Sequence, residues 1–126
     1  MAQSDIRTYA VKARSTDTFG RVLCSARNHH FIVDGPVQNG CPGEATNPGE
    51  LFLAGIAACG VELLQVIAKE QQVAPQSIAV DISGKMDRSK PVRQDLSLFN
   101  AIEIHFAVRG VSRAQAEDLV EHFKRR

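Results

Sequence analysis

The groups in this chain with chemistry to offer are three cysteines, four histidines and a few placed carboxylates. Cys59 draws attention first. It sits in a run of small residues, Ala54, Gly55, Ala57, Ala58, Cys59 and Gly60, inside the most apolar stretch of the chain. Cysteine needs little activation as a nucleophile, since a few per cent is thiolate near neutral pH. Periodicity alone favours a different reading of Cys59, as a small buried side chain. Two glycines beside a cysteine in a helix cost roughly 0.5–1 kcal/mol each relative to alanine, so something is expected to come close to the backbone there. Cys24 falls mid-strand and reads as structural. Cys41 lies in a Gly/Pro loop and is expected to be exposed, as a partner thiol or an incidental one.

The acids near Cys59 are Glu50 and Glu62. Nine residues at about 100° each place Glu50 about 180° around a straight helix from Cys59. A direct contact on one helix is therefore not expected, and Glu50 has a sufficient role as a capping acid. Glu62 is on a neighbouring face and reads as a solvated acid. His29, His30, His105 and His122 make no i,i+4 ligand pair, and the cysteine spacings match no zinc pattern, so neither a metal nor a cofactor is expected. Lys85, Arg88, Lys90 and Arg93 form a basic stretch without aromatic interleaving, read as a solvated loop.

The elements that must position these groups follow from pattern. Residues 47–70 carry the longest helical signal. Asn47 is a good N-cap, Pro48 falls at the first helical position, and Glu50 completes a capping box. Leu51, Phe52, Ile56, Leu63, Leu64, Val66 and Ile67 supply a wide apolar face. Before the helix, residues 6–13, 21–25 and 30–33 read as short strands, separated by turns at 17–20 and around Asn28. Asp34-Gly35-Pro36 is strong turn chemistry, and a loop over 35–47 leads into the helix. After it, Pro75 marks a stop. Ile78, Val80 and Ile82 alternate, as do Ile102, Ile104, Phe106 and Val108. Gly110 ends that second run. Ser112 with Gln115 caps a last helix whose apolar face is Ala116, Leu119, Val120 and Phe123. Antiparallel β-meander, long central helix, second β pair and C-terminal helix make an α+β fold. At 126 residues the chain is expected to be one domain, 1–126.

Composition excludes some classes. A net charge of +1 gives no electrostatic reason to bind nucleic acid or an acidic surface. No charge-free run of about 18 apolar residues occurs, and the first residues lack a signal-peptide core, so no membrane partner is expected. Three cysteines in no disulfide pattern point to free thiols in a reducing, cytoplasmic setting.

Asn47-Pro48-Gly49-Glu50-Leu51-Phe52-Leu53-Ala54 followed by Ala57-Ala58-Cys59 resembles the central helix of the OsmC/Ohr family of peroxide-detoxifying proteins. The upstream His30-Phe31-Ile32-Val33-Asp34-Gly35-Pro36 resembles the strand and turn before it. The resemblance implies an intertwined homodimer with sites at the subunit interface. It implies a thiol-dependent peroxidase, in which Cys59 attacks an organic hydroperoxide and becomes a sulfenic acid. Glu50 and an arginine, Arg14 or Arg21, are the residues it implies around the thiolate. A low-molecular-weight dithiol or its protein carrier would restore the thiols.

Two departures from the family pattern stand out. The family's second cysteine, in a Cys-Pro setting, would begin where this chain ends at Phe123-Lys124-Arg125-Arg126. Either the chain is truncated, or Cys41 or Cys24 resolves, or the two-cysteine cycle is not used. Gly49 stands where one branch has its glutamate, and Glu50 matches another branch. A peroxidase also needs a depressed thiol pKa. The helix dipole fades within the first turn, so a partner-subunit arginine would have to act on Cys59. The alternatives are a non-catalytic dimeric module that binds an apolar ligand, and a redox sensor.

Overall fold

Local signals and register together build the first sheet. In the computed structural model, which describes residues 5–126, strand β1 spans Lys12–Ser15, β2 Arg21–Ala26 and β3 His29–Asp34. They form an antiparallel sheet in the order β1-β2-β3. The strand expected over 6–13 is shorter at its start and later at its end. Lys12 pairs with Ser25, β2 ends one residue later, and Arg27 turns the chain at φ 55°. The ladder with β2 therefore begins at Lys12, not at residue 6. The loop after β3 holds a single 3-10 turn at Val37–Asn39.

Helix α1 spans Pro48–Glu70. Its cap forms as the sequence predicts. The Glu50 amide donates to Asn47 Oδ1 at 2.8 Å, and the Asn47 amide donates to Glu50 Oε1 at 3.0 Å. After α1 come β4, Ser77–Lys85, and β5, Ala101–Arg109, paired antiparallel along their whole length. Helix α2 spans Arg113–Phe123, with the expected Ser112–Gln115 capping box in place.

The chain divides into two compact units, Met1–Leu51 and Phe52–Arg126. In the first, Cys24, Val33 and Asp34 are buried. In the second, Leu64, Ile67, Ala68 and Leu119 form the core, with Val73, Ile78, Phe106, Val108, Val120 and Phe123 packed around it. Phe106 and Phe123 meet edge to face at 5.4 Å. Burying a side chain such as Leu64 contributes about 1.5–3 kcal/mol.

The apolar face of α1 is only partly used. Within α1, Gly60, Leu64, Ile67 and Ala68 are buried, whereas Phe52 is 55% exposed. One window of α1, with mean hydropathy 2.1, is long and apolar enough to cross a membrane by length and composition. The core helix of a soluble protein meets the same criterion, and Glu62 interrupts the run, so it is not charge-free.

Candidate functional site

Cys59 is exposed, not packed into a core as periodicity alone favours. The reason is visible along the helix. Phe52, Gly55, Cys59, Glu62, Val66 and Lys69 follow one another at alternating spacings of three and four, and all are exposed. That spacing makes one stripe along the helix. Its first half, Phe52, Gly55, Ala58 and Cys59, is apolar and small. Phe52 closes one end, its ring stacked on Phe99 at 5.6 Å between centroids. Phe99 comes from the segment before β5, and sequence reading gave it no role.

The two glycines of this helix do different work. A side-chain carbon at Gly60 would lie 3.3 Å from the Phe106 ring and 3.7 Å from Val80, so Gly60 lets the second sheet approach the helix closely. Gly55 has no such neighbour within 4 Å and leaves open space on the stripe beside Cys59. Only one of the glycines thus answers the close approach that sequence predicts.

Glu50 keeps its carboxylate on the Asn47 amide. It stands nine positions before Cys59, about 180° around the helix axis. Its observed contact is the cap.

The two candidate arginines are placed very differently. Arg21 sits opposite Asp34 across β2 and β3. Its Nε donates to Asp34 Oδ1 at 2.8 Å and its Nη2 to Oδ2 at 2.9 Å, a bidentate pair. Nη2 also reaches Glu44 at 3.3 Å. Asp34 is fully buried and accepts further hydrogen bonds from the amides of Glu44, 3.0 Å, and Ala45, 2.9 Å. The Arg21 hydrogen bonds, aided by the two amides, hold the Asp34 carboxyl well below the usual carboxylate range, and the same pair raises the Arg21 guanidinium. Buried charge is tolerated here because every partner is supplied. Arg21 is therefore committed to Asp34, while Arg14 lies on exposed β1 opposite Leu23. By sequence alone Asp34 reads only as a turn residue. The signal that could have found its role is an arginine at the start of one strand of a hairpin and an aspartate at the end of the next.

The remaining thiols are in the first unit. Cys24 is buried, as expected. Cys41 is half-buried rather than exposed. Its side chain fills a niche against Gly20 and Gly35, where a side-chain carbon at Gly35 would lie 2.5 Å from its sulfur. The histidines are dispersed: His30 bonds Ser25 at 2.7 Å, His105 lies 3.0 Å from Glu103, and His122 bonds the Asp118 carbonyl at 2.9 Å. Among the described residues no group of three or more His, Cys, Asp and Glu could hold a metal ion.

An α+β chain with a long capped helix carrying an exposed cysteine defines a recognisable class. Residues 41–126 match the family described as OsmC-like protein, and the chain belongs to that family. It is 28% identical to the organic hydroperoxide resistance protein of Xanthomonas axonopodis pv. citri, over 96% of this chain and 84% of that protein. Its fold is similar to that of an OsmC-like protein from Mycoplasma pneumoniae, with TM-score 0.80 and 14% identity over 95% of this chain and 82% of that one. It is also similar to the organic hydroperoxide resistance protein OhrB of Bacillus subtilis, with TM-score 0.60 and 26% identity over 91% of this chain and 82% of that one.

Proposed function

We propose that this protein reduces organic hydroperoxides in peroxide defence, with Cys59 as the nucleophile. The observation that carries the reading is the exposed Cys59 thiol on the small-residue stripe of α1, within the segment that matches the family. Relatives named for organic hydroperoxide resistance support the substrate class. The Cys59 thiolate attacks one peroxide oxygen and the O–O bond breaks. The second oxygen leaves with a proton as an alcohol, and the sulfur, oxidised by two electrons, becomes a sulfenic acid. A thiol then displaces water from it to give a disulfide, and a dithiol reductant returns both thiols. Glu50 enters this proposal as the residue that fixes the start of the helix carrying Cys59. Arg14 and Arg21 both remain candidates for a cation acting on the thiolate, Arg21 with its side chain held by Asp34.

A homodimer belongs to the same proposal. Leu51, Phe52 and Val66 are 37%, 55% and 38% exposed on α1, an apolar face that a second copy would cover. One OsmC-like domain over 1–126 and a reducing, cytoplasmic setting for free thiols complete it.

The test is anaerobic titration of the reduced protein with one equivalent of cumene hydroperoxide, followed by intact mass and thiol counting. Rapid oxidation that Cys59→Ser abolishes is the expected result. Loss of two hydrogens would identify an internal disulfide, and gain of one oxygen a sulfenic acid that needs an external thiol. No reaction over minutes would leave a non-catalytic module, for which the Cys59 stripe would be an apolar binding strip.

A further inference from the structure

The segment joining β4 to β5, residues 86–100, combines two features that rarely share an exposed loop. Met86, Val92, Leu96 and Leu98 are 46%, 56%, 51% and 38% exposed. Single exposed apolar side chains are ordinary, but Met86, Leu96 and Leu98 line one cavity together with Arg88 and Arg93, and such clustering is what a candidate interaction surface requires. Among them stand Lys85, Arg88, Lys90 and Arg93.

The acids of the segment are already engaged. Asp95 takes Arg93 in a two-point pair at 3.0 and 2.7 Å. Asp87 is turned onto its own backbone turn, accepting from the Ser89 amide at 2.9 Å and the Ser89 hydroxyl at 2.5 Å. Among the described residues no ion pair engages Lys85, Arg88 or Lys90, while Arg93 is paired. The base of the loop is pinned by Asn100. Its amide donates to the Lys85 carbonyl at 2.8 Å, its Oδ1 accepts from the Asp87 amide at 2.7 Å, and its Nδ2 donates to the Lys90 carbonyl at 2.7 Å. The loop therefore has a fixed base and an outer surface that is both cationic and greasy.

We propose that this loop docks the protein peripherally on an anionic lipid bilayer. Val92, Leu96 and Leu98 would enter the boundary between headgroups and acyl chains, and Lys85, Arg88 and Lys90 would lie against the lipid phosphates. Charge complementarity selects this partner. A second copy that met this loop with its own loop across a two-fold axis would bring the same unpaired cations face to face. A nucleic acid would answer the cations but leave the apolar tips without a use, and the segment's one aromatic ring, Phe99, is already stacked on Phe52. The whole chain's net charge of +1 conceals the surface, because the excess is local to the loop. The proposal stands apart from the peroxide reading, which rests on Cys59.

The test is co-sedimentation of the full chain with vesicles of phosphatidylcholine alone and of phosphatidylcholine with phosphatidylglycerol. Binding is expected only to the anionic vesicles, and is expected to fall at high salt. Each of Arg88→Ser and Lys90→Ser should weaken it about five-fold. Leu96→Ser combined with Leu98→Ser should weaken it further without changing the melting temperature. The chain has no tryptophan, so Leu96→Trp gives a single reporter whose emission should shift to the blue when anionic vesicles are added. Failure to sediment with anionic vesicles overturns the proposal, as does equal binding to neutral ones. A change of oligomeric state in the leucine variants, with vesicle binding intact, also overturns it and assigns the loop to contact between copies.

Discussion

Asp34 and Cys59 occupy opposite kinds of environment. Asp34 is a charge taken fully out of water, and this chain supplies everything it needs: a bidentate arginine and two backbone amides. Cys59 is a nearly apolar side chain left in the open on a stripe of small residues. The cost of leaving each unpartnered explains the difference. An uncompensated buried carboxylate is so unfavourable that its partners must be part of the fold. An exposed methylene or thiol costs far less, so a stripe can stay open for a substrate or a second subunit.

That contrast can be broken by substitution. The largest effect is expected from Asp34→Ala, which leaves Arg21 without its main acceptor and two amides without theirs. The first unit should lose cooperative unfolding, read by differential scanning calorimetry, and the Glu44 and Ala45 amides should lose hydrogen-exchange protection. An unchanged melting profile would mean that the network is not what holds the loop after β3. Acid should act on the same corner. Asp34 is depressed in the folded protein, so its stabilisation is complete at neutral pH. It begins to be lost below the ordinary aspartate value of about 3.9, and is gone only below its lower folded value. Acid unfolding monitored by circular dichroism should therefore begin below about pH 4, and Asp34→Asn should flatten that part of the profile.

Smaller effects should separate the cap from the stripe. Asn47→Ala removes the side-chain acceptor for the Glu50 amide and should cost about 1 kcal/mol in denaturant unfolding. Cys59→Ser changes an exposed position and should shift stability by less than about 0.5 kcal/mol, even though it is expected to abolish peroxide consumption. A large stability loss in Cys59→Ser would show that the thiol itself is packed in the proposed contact between copies, and would sharpen the contrast by making only Asp34 self-sufficient.

Much of the architecture was legible because its signals are short in range. Asn47 and Glu50, like Ser112 and Gln115, are three residues apart, and each pair forms its cap as read. Alternation over Ile78–Ile82 and Ile102–Val108 likewise located the second sheet. The start of β1 was misjudged because a strand lasts only as far as its partner does, and β2 turns away at Arg27. Cys41 was expected in the open because its loop is rich in glycine and proline. The niche that holds it requires Gly20 and Gly35 to be brought together, which no local pattern encodes.

The sequence by itself determined the order of elements, both helix caps, the α+β class and the family-like segment that carries Cys59, since each depends on residues a few positions apart. Tertiary structure decided the rest. It placed Arg21 on Asp34, because strand register sets the two opposite each other. It decided that Leu64 and Ile67 are buried while Phe52 stays open. It also decided which glycine serves packing and which leaves space, for the second sheet covers Gly60 and leaves Gly55 uncovered. Periodicity finds an apolar helix face, but only the neighbouring elements determine how much of that face is covered.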